Sequence, residues 1–592
     1  WAFAVQLEID RYAGRAGIAA GSLSDHVRLL YWAGTAALIS WAGYRLRWRE
    51  ALTAGLLLLP LAALSLLDLA AAEPATRQRR AGLVLLVAAD EPVSVEWRAY
   101  ASVLVVDDAG NTGIGSLRNR LQLVRDVPKP ALIQFDPVVF PPGQLSWIEL
   151  DFQLTSLDAS DVTVDAIDPL GLAGNRGVDA GEEPVGAFSI SGARNEVIGL
   201  RLRGTGGEDR DVLRIAGPEA VGNSIEQVIV EGRASGDGIG VDDGAGNGFG
   251  ASTTSIRRSQ VSGAADKGIK VTTGAFARIE DTWVHDNENG GIQATLGGHV
   301  LVIDSVVERN AGVGAENGLS VQGLAETDAL ATLAGFGNLV RGNGGNGISV
   351  RSFATGTVVD TAFVDNGTGG ARVFNDVDEP ALAVFEGTTF ACNAADGVLI
   401  GDDSGADLGG GAFASRGGNA LIGNGAGGLG VQLRNVSSQA SSARSSQWQA
   451  CGGAAVCDPA VVLAEDVRDA GAGVAVEPVV APGGLASPRV DEVVPPRGRA
   501  GERFRIFGAG FDAFAGYGGA ACVLPEVANG CDPVVGNCVT VGGLEAEVEA
   551  VTPTMLIARW PTTCLEPVDL QVRVARIDRP AASAAVRVCT NP

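Results

Sequence analysis

Residues 266–310 read DKGIKVTTGAFARIEDTWVHDNENGGIQATLGGHVLVIDSVVERN, and the second half restates the first. A Gly-Ile strand, at Gly268-Ile269 and again at Gly291-Ile292, runs through a turn into IEDTWVHDN (279–287) or VIDSVVERN (302–310). The second register returns without gaps at 358–366 (VVDTAFVDN) and 385–393 (FEGTTFACN). The first returns at Gly238, Gly268, Gly291, Gly318, Gly347, Gly370, Gly397 and Gly428, about every 27 residues. Two independent columns at one period identify a solenoid.

Each repeat holds three short alternating runs separated by Gly, Asn or Asp, with no helical stretch, so helical repeats are excluded. Alternation sends Ile269 and Val271 inward and Lys270 and Thr272 outward. Asn287, Asn310, Asn366 and Asn393 share one turn position, where side-chain amides can bond along the stack as an Asn ladder. Two earlier coils fit at DVLRI (211–215) and AFSI (187–190). From Phe188 to Val436 the pattern resembles the parallel β-helix repeat family, which implies a single-stranded, right-handed parallel β-helix.

A β-helix must close its open ends. In GSLRNRLQLVRD (115–126), Ser116 is placed to N-cap a helix whose Leu117, Leu121 and Val124 share one face. IQFDPVVFPPG (133–143) follows. The pair resembles the leader that precedes many bacterial surface β-helices, and implies an N-terminal cap. Farther on, PRVDEVVPPRGRAGERFRIFGAGFD (488–512) resembles the start of an IPT/TIG domain at Pro488, Pro495, Gly498, Gly501, Phe504, Ile506, Gly508, Gly510 and Phe511. That resemblance implies a small immunoglobulin-like β-sandwich, a spacer or binding module. An insert near 513–538 with three cysteines departs from the pattern.

The first 75 residues differ in character. Leu29–Tyr44 and 51–72 are apolar, and Arg45, Arg47 and Arg49 lie between them. A membrane anchor, a signal peptide and a fused membrane fragment all fit, and each sends the rest out of the cytoplasm. The expected organisation is therefore all-β after a helical membrane or signal segment at 1–75. A cap with the first strands spans 100–180, β-helix repeats 181–465, a linker 478–487 and the immunoglobulin-like domain 488–578. Eight cysteines suit disulfides in an exported protein. A net charge of −25 argues against nucleic-acid binding.

Function has to be sought on an outward face. The Gly-Ile-x-Val strands present Arg214, Gly240, Lys270, Gln293, Ser320, Ser349, Arg372 and Leu399, and the next outward column includes Asp242, Thr272, Arg351 and Phe374. Lys270 is a candidate catalytic cation, and His285 with Glu308 a candidate acid–base pair. Trp283 is a candidate sugar platform, with Arg351 and Arg372 as further ligand-binding candidates. Asp242 and Asp243 are expected to point to opposite sides of a turn. No metal site or cofactor is assigned; calcium at the Asp-rich turns stays open without a specific site. The primary expectation is an exported structural, adhesive or carbohydrate-binding protein, with a polysaccharide or cell surface as partner. The alternative is a lyase or glycosidase acting on acidic glycans.

Overall fold

The computed structural model describes residues 82–86 and 96–588 apart from short internal segments, of which 477–487 and 512–535 are the longest. The apolar stretch 29–72, the linker 478–487, and Cys451, Cys457, Cys522, Cys531, Cys564 and Cys589 lie outside the described residues. Among the described residues no helix is long and apolar enough to cross a membrane. Gly82–Leu86 and Glu96–Tyr100 pair antiparallel in a unit of their own.

The rest is dominated by a parallel β-helix of about twelve coils, built as three sheets. Sheet I has 12 strands, from Ser146–Glu149 to Gln447–Trp448; sheet II has 11, from Phe188–Ile190 to Val467–Asp469; sheet III has 14 and ends at Val474–Ala475. Each coil gives one strand to each sheet, and equivalent residues stack: Ile269 on Ile292, Trp283 on Val306, Phe276 on His299. The coils predicted at 187–190 and 211–215 form as strands Phe188–Ile190 and Leu213–Ala216.

The interior is made by the inward half of each alternating strand. On sheet I the inward column Val261, Val284, Val307, Val340, Phe363 and Phe390 is fully buried. Each such side chain contributes about 1.5–3 kcal/mol. Phe363 and Phe390 stack with centroids 5.4 Å apart, because consecutive coils place identical positions in contact. The recurring glycine answers to this packing. A Cβ on Gly318 would lie 2.5 Å from Val340 Cγ1 and 2.7 Å from Asn343 Nδ2, so only a bare Cα fits beneath the turn.

The asparagine ladder is longer than the predicted four, because Asn343 and Asn424 join Asn287, Asn310, Asn366 and Asn393. Asn310 donates from Nδ2 to Asn343 Oδ1 at 3.0 Å and to the Val284 carbonyl at 3.2 Å, and its backbone N–H shares the same Oδ1 at 3.1 Å. The amides thereby satisfy the turn's buried polar groups. The residue before each rung sits in the left-handed region, as at Asp286, Arg309, Asp365 and Cys392.

At the N-terminal end, helix α1 (Leu117–Leu123) is capped by Ser116, whose side chain accepts from the Asn119 N–H. Leu117, Leu121 and Val124 are buried in the solenoid core, as their spacing predicts. At the other end, helix α2 (Pro459–Glu465) adds Val462 to the same core.

Beyond the solenoid lie two four-stranded antiparallel sheets. One has the order Arg489–Val494, Arg503–Ala509, Met555–Arg559, Val548–Val551; the other Leu544–Ala546, Gly536–Val541, Val568–Ala575, Ala582–Val588. Phe504, Ile506 and Phe511 are buried in their shared core. That core does not stop at the sheets. Val306, Leu339, Ala362, Val364, Ala391 and Ile422, all outward residues of sheet I, belong to it. The C-terminal sheets therefore lie against the flank of the β-helix, where sheet I turns an apolar column outward.

Candidate functional site

Sheet II keeps its outward face polar. The register stacks Arg214, Gly240, Lys270, Gln293, Ser320, Ser349, Arg372, Leu399 and Arg434 in one column, as the alternation predicts through Leu399. Gly240 is the residue in this column with no side chain, and the space it leaves is taken. A Cβ at 240 would fall inside the carboxylate of Asp211. Asp211 lies two residues before its strand, and Asp237 holds the equivalent place one coil on.

Asp237 is only 5% exposed. Its Oδ1 accepts from the Lys267 backbone N–H at 2.9 Å, and its Oδ2 lies 3.4 Å from Lys270 Nζ. Asp266 is 3.7 Å from the same ammonium. On the other side, Arg214 donates from Nε to Asp242 Oδ2 at 3.0 Å and from Nη2 to Asp243 Oδ2 at 3.2 Å. Asp242 Oδ1 is buried and has no hydrogen-bond partner among the described residues.

Crowding acids in a partly dry place shifts them strongly. Burial, then the charges of Asp237 and Asp242, push Asp211 up to about 7. Burial also pushes Asp237 up to about 6, against the pull of Lys270. Asp242 is raised by burial although Arg214 opposes it. Burial disfavours the Lys270 ammonium, yet Asp237 and Asp266 hold its pKa above the ordinary value. Burial and mutual repulsion thus favour the protonated form of both, so the pair holds a proton close to neutrality. Among the described residues no group of three or more His, Cys, Asp or Glu is arranged to hold a metal ion.

The same face continues as a groove of about 270 Å³ lined by Lys267, Gln293, Glu316, Ser320, Ser349 and Arg351, among others. Lys267 Nζ lies 3.7 Å from Glu316, and Arg351 donates to Gln322 Oε1. The next strand carries Arg372, whose guanidinium lies over the Phe374 ring at 3.8 Å. Amides, hydroxyls and cations in a concave strip are groups that bind polar ligands.

Of the residues singled out from sequence, Lys270, Arg351 and Arg372 lie on this face. Trp283, His285 and Glu308 lie elsewhere, on sheet I at the contact with the C-terminal sheets. The expected pairing of His285 with Glu308 does not form, although the two are strand neighbours. His285 is 7% exposed; its Nε2 faces Gln260 Nε2 at 2.9 Å and its Nδ1 faces Asp286 at 2.5 Å. Glu308, 1% exposed, accepts from Trp283 Nε1 at 2.9 Å, Arg309 at 2.5 Å and Arg341 at 2.8 Å. Burial disfavours its charge, but Arg341, Arg503 and Arg309 hold its carboxyl below the usual range. Trp283 stacks on His285 at 3.8 Å and packs against the C-terminal core, so its ring is not an open platform. The network continues to Glu549, which Arg503 meets at 2.5 Å and Arg341 at 3.5 Å.

Asp242 and Asp243 also differ from expectation. They converge on Arg214, because Asp243 takes a left-handed conformation (φ 51°) that ends the strand. Asp211 and Asp237 were missed altogether, because strand alternation does not reach the turn residue two places before the strand. The signal available was Gly240, the gap in an otherwise side-chain-bearing column.

Solved structures with a similar chain path include the catalytic unit of a GH87 α-1,3-glucanase from Streptomyces thermodiastaticus (12% identity, 66% of this chain and 71% of that chain, TM-score 0.42). They also include the A-module of the mannuronan C-5 epimerase AlgE6 from Azotobacter vinelandii (14% identity, 63% and 96%, TM-score 0.40). Tailspike protein 3 of bacteriophage CBA120 is a third (12% identity, 64% and 63%, TM-score 0.31). No curated protein matches the sequence. Residues 187–323 match the family model described as a right handed beta helix region, so the solenoid is a right-handed parallel β-helix.

Proposed function

We propose that this chain is an extracytoplasmic β-helix protein that binds a polysaccharide along sheet II and hydrolyses it at Asp211 and Asp237. One observation carries this reading. The Asp211 carboxyl is packed over Gly240 beside Asp237, which Lys270 holds, and burial with the neighbouring charges pushes Asp211 up to about 7. Glycoside hydrolysis needs one carboxyl to protonate the leaving oxygen and another to act as base or nucleophile. In this assignment Asp211 is the acid and Asp237 the carboxylate, with Lys270 positioning it. The polar groove holds the chain on one side of the reacting bond.

Export is supported by the apolar segments at 29–72 flanking Arg45, Arg47 and Arg49. Disulfides at Cys392 and Cys538 would also suit an oxidising compartment. The C-terminal sheets are proposed to be the immunoglobulin-like IPT/TIG module that the sequence resembles, acting as a fixed brace. The test incubates the full chain with neutral and acidic polysaccharides and follows new reducing ends, together with the ultraviolet absorbance of unsaturated uronates. Reducing ends without absorbance, lost about 100-fold or more in Asp211→Asn, are the expected result. Absorbance instead would assign elimination. Binding with no new ends on any polymer would return the chain to the adhesive or carbohydrate-binding role expected from sequence.

A further inference from the structure

The outward column of sheet II holds five cations, Arg214, Lys270, Arg372, Arg434 and Arg468, and they are not alike. Arg214 lies 2.9 Å from Asp242, Lys270 lies 3.4 Å from Asp237, and Arg434 lies 3.0 Å from Asp396. Arg372 pairs with no carboxylate among the described residues. In a chain with 69 Asp and Glu against 44 Lys and Arg, Arg372 and Arg468 are exposed cations of this column with no carboxylate partner among the described residues, and Arg372 is the one beside the groove.

Its surroundings fix it in place. The guanidinium lies 3.8 Å over Phe374, a buried ring, and such stacking uses the flat face of the cation. The in-plane N–H donors are left for a planar or tetrahedral anion. Arg372 is the strand neighbour of Ser349, and Phe374 of Arg351, so the cation extends the groove that those two residues line. Leu399 follows it and interrupts the polar run before Arg434, which pairs with Asp396.

We infer that Arg372 is an anion subsite at the far end of the groove, and that the glycan bears carboxylate or sulfate groups along its length. This rests on the glycan-binding part of the proposed function, not on the hydrolytic part. Six strand steps separate the Arg214 strand from the Arg372 strand, about 29 Å at about 4.8 Å per step. A ligand that touches both ends is therefore a polymer.

The test measures binding of the full chain to two matched pairs: polygalacturonate against its methyl ester, and dextran sulfate against dextran. The expected result is about tenfold tighter binding of the charged member of one pair. Arg372→Ala should reduce that ratio to about twofold, and Arg372→Lys should restore part of it. Preference within the first pair assigns a uronate and within the second a sulfate ester. Equal binding within both pairs, no binding of either, or a ratio unchanged in Arg372→Ala overturns the inference. Hydrolysis of a neutral glycan without charge preference would sink the subsite and leave the proposed reaction standing. Charge preference without hydrolysis would do the reverse.

Discussion

Sheets I and II are made by the same ladder of coils, yet charged residues on their outward faces end in opposite states. On sheet I the outward column changes from Arg201, Ile229 and Gln260 to Val306, Leu339, Ala362 and Ala420, and the C-terminal sheets cover it. Glu308, caught at the edge of that covered zone, is clamped by arginines and held ionised. On sheet II the column is mostly polar and lies outside that C-terminal core, and the acids beside it are driven the other way, towards the protonated form. A carboxyl group is a structural ion where cations surround it, and its protonated form is favoured where burial and neighbouring acids act on it.

The strongest way to break this comparison is to remove one partner from each face. Glu308→Gln should cost about 1–3 kcal/mol of stability, because it removes a buried carboxylate that accepts from Trp283, Arg309 and Arg341. Urea unfolding would read this, while glycan binding by the folded protein should hold. A variant as stable as the parent would show the network to be ornamental. Gly240→Ala places a methyl group where the Asp211 carboxylate sits. It should lower hydrolysis about 100-fold, equivalent to about 2.7 kcal/mol in the barrier, with a far smaller change in unfolding. Unchanged turnover would remove Asp211 from the reaction.

A smaller effect separates ladder from face. Asn366→Ala removes the acceptor for Asn343 and strips the donor to Asn393, so about 1–3 kcal/mol of stability should be lost. Ser320→Ala, at a half-exposed position of the sheet II column, should change stability by no more than about 0.5 kcal/mol. Equal losses in the two variants would contradict the distinction.

The finest test is the sign of the pH dependence. Asp211 titrates at about 7 in the folded chain, against about 3.9 for an unfolded aspartate. The stability it adds is present in full below about pH 4 and is lost as the pH rises through 7. Glu308 and Glu549 are lowered, burial being outweighed by their arginines. Their contribution is present above about pH 4.3 and is lost on acidification. Melting temperatures from pH 3 to 8 should therefore show a shallower neutral slope in Asp211→Asn, where Asp237 remains, and a shallower acid slope in Glu308→Gln, where Glu549 remains. Hydrolysis should fall above about pH 7 as the acid ionises.

Local sequence is enough to specify the solenoid. Period-two alternation, the recurring glycine and the asparagine column are repeated local requirements, and each repeat restates the same steric and hydrogen-bonding demands. It also placed α1, because Ser116 and the Leu117–Leu121–Val124 face are local signals. The outward position of Lys270, Arg351 and Arg372 followed from the same alternation. What it could not show was which outward face would be covered. Trp283, His285 and Glu308 looked open because their burial depends on residues such as Arg503, about 200 positions away in the chain. Nor could strand alternation bring Asp211 over Gly240 and beside Asp237, since stacking of turn residues is set by the register between coils. Local periodicity encodes a repeating backbone; the charge state of an acid depends on everything that tertiary structure brings within a few ångströms of it.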